Sequence, residues 1–147
     1  MTIPMAWALA ATLAGAPDPL AAHTWEHRVL VLFADGAEGR HALEQQTEWI
    51  RAAEEGFASR DLVRVEVVDG ERLGAKSGGE EVEALRERFR PEGPFVAILV
   101  GKDGGEKLRS NAPIEMSRLF RTIDAMPMRA AEMRARLRAG PPRPGPK

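Results

Sequence analysis

The chain predicts an α/β domain built on one central, mixed four-stranded sheet with helices on both faces. Two observations carry this. Residues 29–33 (VLVLF) and 95–100 (FVAILV) are unbroken apolar runs rich in β-branched side chains, as expected of strands buried on both faces. Around them, segments with helical spacing alternate with strand-like ones, in the order strand, helix, strand, helix, strand, hairpin strand, helix. Two strands joined by a helix pair in parallel through a right-handed crossover, whereas two joined by a tight turn pair antiparallel. One mixed sheet satisfies both demands.

The elements follow in order. After the first strand comes an Asp/Gly/Glu loop over residues 34–39. Leu43, Gln46, Ile50, Ala53 and Phe57 then recur at helical spacing, with Glu44, Glu48, Arg51 and Glu55 outside, and Gly56 and Ser59 near the helix end. Residues 62–68 (LVRVEVV) alternate, with Val63, Val65 and Val67 on one face and Arg64 and Glu66 on the other, the pattern of a half-buried strand. A glycine-rich connection over 69–79 leads to a short helix at 80–90, with Val82, Leu85 and Phe89 inward. Its acids fall in the first turn and its arginines in the last, as the macrodipole favours.

Pro91-Glu92-Gly93-Pro94 then stops the helix before the second apolar strand. Residues 101–105 (GKDGG) predict a hairpin turn, because their glycines can supply positive φ. Residues 106–109 predict a short edge strand. Pro113 stands near the start of a last helix, with Met116, Leu119, Phe120 and Ile123 inward, which Pro127 interrupts before a further turn or two.

Composition removes several mechanisms. The 147 residues include no cysteine, which excludes disulfides, zinc thiolates, iron–sulfur clusters and thiol redox or peroxidase chemistry. A net charge of −1 argues against a body built for nucleic acid. No apolar stretch is long enough for a transmembrane span. Residues 129–147 are an exception to this balance, with six basic side chains and one acid, Glu132. The organisation expected is a signal peptide over 1–22, the domain over 23–138 and a disordered Pro/Arg-rich tail over 139–147. The signal peptide rests on the apolar run at 5–16 (MAWALAATLAGA), followed by candidate cleavage sites after Ala16 and Ala22, although residues 1–4 carry no Lys or Arg. A periplasmic or secreted location follows from that reading.

The order of elements resembles the thioredoxin-like fold, which implies sheet order 4-3-1-2. Pro94 stands where thioredoxins carry their cis-proline, and the resemblance implies a functional edge where the loop after the first strand faces it. In a redox thioredoxin that loop holds cysteines; here it reads Ala34-Asp35-Gly36-Ala37-Glu38-Gly39. A closer resemblance lies in four segments: Trp25-x-x-Arg28 running into Val29–Ala34, Arg60-Asp61-Leu62, Val100-Gly101-Lys102-Asp103-Gly104-Gly105-x-Lys107-Leu108-Arg109, and Leu119-Phe120-x-x-Ile123-Asp124-x-Met126-Pro127-Met128-Arg129. These resemble the bacterial domain of unknown function 4174 family over about residues 25–134. The family implies a peroxiredoxin-like fold, frequent export and no assigned activity.

Candidate site residues follow from chemistry. Lys102, Lys107 and Arg109 surround one hairpin beside Asp103, a pattern that suits a carboxylate or phosphate, or simply solvates an edge strand. Asp35 and Glu38 precede the first helix, where acids usually act as caps; a cation or basic-peptide site opposite Pro94 is the sharper alternative. Arg28 opens a buried strand, either as a salt bridge clamping the sheet end or as a substrate clamp. A paired Arg28 facing away from Pro94 would favour the first. His23 and His27 have i, i+4 spacing but precede a strand, so no metal site is expected. No G-x-S-x-G marks a serine nucleophile. The methionines of the last helical region are expected to pack on the sheet. The expected function is a non-redox binding or structural module for a protein or small ligand, with no cofactor. The alternatives are an enzyme in which Asp35, Arg28 and Lys102 replace the cysteines, or a surface binder using the basic hairpin and tail.

Overall fold

The computed structural model describes residues 18–72 and 79–140. The sheet is organised around β1 (Arg28–Ala34), of which all seven residues are buried. It pairs in parallel with β2 (Leu62–Val68) and antiparallel with β4 (Phe95–Val100). A short β3 (Glu71–Arg72) adds to the outer edge of β2, and β5 (Glu106–Ser110) pairs with β4 across the hairpin. The order β3-β2-β1-β4-β5 contains the expected four strands in the expected sequence, read from the opposite edge. β3 is an addition that the glycine-rich connection concealed. The rest of that connection, residues 73–78, lies outside the described residues.

Alternation in β1 and β4 divides the interior into two layers. On one face Leu30, Leu32, Ala97 and Leu99 pack with Leu43, Ile50, Phe57, Leu119 and Ile123. These come from α1 (Gly36–Ala52), α2 (Glu54–Ala58) and α4 (Met116–Asp124). On the other face Val29, Val31, Phe33, Val65, Val67, Val96 and Ile98 pack with Val82, Leu85 and Phe89 of α3 (Gly79–Phe89). Each fully buried side chain of this kind contributes roughly 1.5–3 kcal/mol. Leu20 is also buried in the second layer, and Asp18 pairs with Arg88 at 2.5 Å. The folded part therefore begins before residue 23. The apolar run at 5–16 lies outside the described residues.

Local chemistry explains where elements start and stop. α1 begins at Gly36, three residues into what reads as a loop. The Gly36 N–H donates to Asp69 Oδ1 at 2.7 Å, so an acid from the β2–β3 turn satisfies the helix start. The helical stretch expected through Phe57 is split, because Ala53 (φ −122) ends α1 and α2 starts afresh. In the hairpin, Gly104 takes φ +83 and its N–H bonds to the Gly101 carbonyl at 3.0 Å. Pro127 does not merely interrupt a helix. It opens α5 (Pro127–Ala139) at a position where its missing N–H costs nothing.

The methionines divide. Met116 and Met126 pack against the first layer, as expected, but Met128 and Met133 are exposed. Gln46, fully buried, grips the segment before α4: its Oε1 accepts the Ile114 N–H at 2.7 Å and its Nε2 donates to the Ile114 carbonyl at 3.0 Å. No described helix is long and apolar enough to cross a membrane.

Candidate functional site

β1 has seven residues, so its ends lie about 20 Å apart at ~3.3 Å per residue. The candidate residues divide between those ends. Asp35 and Pro94 meet at the carboxyl end, where the Asp35 N–H donates to the Pro94 carbonyl at 2.8 Å. The Asp35 side chain makes no cap bond; its carboxylate accepts from Arg86 of α3 at 3.1 Å. A Cβ on Gly39 would lie 2.2 Å from the Pro94 oxygen, so α1 runs tight against this loop. Pro94 follows a trans peptide, since no described residue has a cis bond, and in this it departs from the thioredoxin pattern.

Arg28 and Lys102 share the other end. Arg28 is 1% exposed, and its Nη atoms donate to the Arg60 carbonyl at 2.9 Å and to both Glu132 oxygens at 3.3 and 3.4 Å. Lys102, 9% exposed, donates to Glu132 Oε1 at 2.6 Å and to Asp61 Oδ2 at 2.9 Å. Arg129, 6% exposed, reaches the Ser59 carbonyl at 2.8 Å and Glu132 at 3.5 Å. Asp124 takes a two-pronged bond from Arg60 at 2.9 and 3.0 Å and faces Arg129 at 3.5 Å. Asp61, with φ +52, passes its carbonyl to the Arg28 N–H at 2.8 Å.

The electrostatics follow from this arrangement. Burial acts to raise the pKa of Glu132, but hydrogen bonds from Lys102 and Arg28 and their charges outweigh it and hold it below the ordinary value. Asp124 is lowered first by its bond from Arg60. Arg28 is thus paired and faces away from Pro94, the geometry of a sheet-end clamp. Yet its donors are not exhausted: among the described residues Nε has no acceptor although it is buried, while Arg129 Nε has only the 3.5 Å ion pair with Asp124. Buried guanidinium donors are seldom left open.

A cavity of about 340 Å³ opens onto this end. Its lining combines Arg28, Lys102 and Lys107 with Asp103, from the start of β1 and the hairpin, and Ala125-Met126-Pro127-Met128 with Thr122, from the α4–α5 region. The turn between α4 and α5 thus faces the hairpin. Lys107 is held by Asp103 at 2.9 Å, and Asp103 has a lowered pKa chiefly for that reason. Arg109 is absent from this lining; it donates to the Phe89 carbonyl at the end of α3 and to Glu106, each at 2.6 Å. His23 and His27 stack edge to face at 5.5 Å, and no described group of three or more His, Asp or Glu is placed to hold a metal ion.

Of the residues expected to form a site, then, Arg28, Lys102, Asp103 and Lys107 come together, Asp35 and Pro94 form a separate pair, and Arg109 stands apart. The sequence reading overlooked Glu132, Met126 and Met128. Glu132 had a signal, as the one acid in a basic stretch.

A mixed sheet of this order, with helices on both faces, defines a thioredoxin-like α/β domain. The chain belongs to the domain of unknown function (DUF4174) family, which it matches over residues 19–132. Among solved structures it is similar to the exposed lipoprotein thioredoxin Etrx1 of Streptococcus pneumoniae. The identity is 14% and the TM-score 0.49, over 73% of this chain and 90% of that one. A malarial protein matches with 14% identity and TM-score 0.46, over 67% of this chain and 94% of its own. No curated protein matches the chain.

Proposed function

We propose that the protein is an exported, non-redox binding module that holds its ligand in the cavity between the hairpin and the α4–α5 turn. The observation that carries this reading is the cavity itself, lined both by the buried Arg28 and Lys102 and by Met126 and Met128. A concave site with an apolar side and a few convergent polar groups is the usual form of a small-molecule site. It sits at the opposite end of the sheet from Pro94, so the cysteine-free loop is no obstacle. The enzyme alternative finds less support, because it needs Asp35 beside Arg28 and Lys102, and the length of β1 divides them. The hairpin cations are matched by Asp103 and Glu106, which weakens the surface-binding alternative.

A small-molecule library, followed through the methyl signals of labelled methionines, tests the binding reading. Hits are expected to move Met126 and Met128; hits that map instead to the Asp35–Pro94 end, or a library without hits, overturn it. Sequencing the amino terminus of the protein from an envelope fraction tests export. Because Leu20 is part of the core, the proposal takes cleavage after Ala16, with Pro17 first; an intact Met1 would overturn it.

A further inference from the structure

We infer that the cavity ligand is a small monocarboxylate with an apolar body, its carboxylate against Lys102 and Lys107 and its body against Met126 and Met128. This rests on the binding reading above and adds the chemistry of the ligand. Three observations converge on it.

The first is the open donor. It belongs to Lys102, which lines the cavity beside the 1%-exposed Arg28. Lys102 Nζ has three donors, of which two are matched by Asp61 and Glu132. A ligand oxygen would complete the Lys102 ammonium, with the buried Arg28 charge behind it. A cationic ligand head would add charge where donors are already in surplus.

The second is the charge balance. Among the described residues, the ion-pair network of this end, with Lys107 and Asp103, contains five cations and four carboxylates. One negative charge neutralises the excess, whereas a phosphate dianion would overshoot it and meet Glu132 and Asp103. Lys107, tied among the described residues to the accessible Asp103, can exchange that partner for a ligand, because such exposed pairs are weak.

The third is size and the apolar lining. A volume of about 340 Å³ falls at the lower end of the range usual for small-molecule sites, roughly 300–1,000 Å³. Met126, Pro127 and Met128 offer that space thioether and ring carbon rather than hydrogen bonds, and methionine adapts its shape to apolar partners.

The experiment titrates the full chain with octanoate, octan-1-ol, octylamine and inorganic phosphate, reading methionine methyl shifts and calorimetry. Octanoate is expected to saturate one site through the Met126 and Met128 methyls, at least tenfold more tightly than octan-1-ol, with no binding of octylamine or phosphate. Met128→Glu, at an exposed position, is expected to weaken octanoate at least tenfold, and Lys107→Ala about threefold, with unchanged unfolding curves. If octan-1-ol, octylamine or phosphate moves those methyls as strongly as octanoate, the ligand class is overturned while cavity binding stands. If octanoate binds the two variants as it binds the wild type, the site assignment is overturned. If no probe moves the methyls, the monocarboxylate class is overturned, and the library screen separately decides whether the cavity binds at all.

Discussion

Lys102 Nζ and Glu132 Oε1 meet at 2.6 Å, joining the turn after β4 to the middle of α5 across thirty residues of chain. Glu132 also receives Arg28 and Arg129, so one carboxylate contacts three buried cations, two of which have a second acid in Asp61 or Asp124. Removing one partner of a buried pair costs more than the pair itself contributes, because the other charge is left without compensation. Glu132→Gln is therefore expected to lower stability by about 3 kcal/mol in chemical denaturation. A loss under ~1 kcal/mol would mean that water already screens this network.

The same group sets an acid limit. Glu132 titrates below its ordinary 4.5 in the folded chain, so the unfolded chain binds its proton first. The stabilisation is present above about pH 4.5 and is lost as the pH falls through the lower, folded value. Asp124 acts in the same sense from 3.8, while Asp69 and Asp103, lowered but solvent-facing, add little. Stability should be level from pH 7 to about 5 and fall toward pH 3, with a shallower fall in Glu132→Gln. Equal slopes in the two proteins would assign the acid loss elsewhere.

Gln46→Leu tests the clamp on the segment before α4. The substitution leaves the buried Ile114 N–H and carbonyl without their partner. A cost of about 3 kcal/mol is expected, from roughly 1–3 kcal/mol for each orphaned group. Faster hydrogen exchange at the Ile114 amide should accompany it.

Two glycines in one helix should respond for different reasons. At Gly39 an added Cβ lies 2.2 Å from the Pro94 oxygen, a backbone atom that cannot step aside cheaply, so Gly39→Ala is expected to cost 2 kcal/mol or more, about the upper range for overpacking. At Gly36 nothing lies within 4 Å, but φ is +70. Gly36→Ala is therefore expected to cost about 1 kcal/mol, from backbone strain alone. Thermal unfolding of both variants measures the contrast.

Much of the fold could be read from the chain because its signals are local. The runs at 29–33 and 95–100, the alternation of Val63, Val65 and Val67, and the glycines of the hairpin each act over a few residues. β3 escaped because two residues carry no periodicity. The start of α1 escaped because its capping acid, Asp69, is thirty-three residues away. The site was half legible. Arg28 and Lys102 announce themselves as cations beside apolar strands, but their convergence depends on the antiparallel register that sets Val29 against Val100. Met126 and Met128 read as packing because methionine spacing looks alike whether it faces a sheet or a cavity.

The anchoring of α5 has a further consequence for trimming of the chain. Glu132 is its innermost acid, whereas every residue from Met133 onward along the described helix is exposed. A carboxypeptidase working inward would remove the last turns with little effect, then on reaching Glu132 leave the buried Arg28 without a carboxylate and weaken the pairing of Lys102 and Arg129 in a single step. The family match ends at that same residue, where the ion-paired part of α5 gives way to its exposed end.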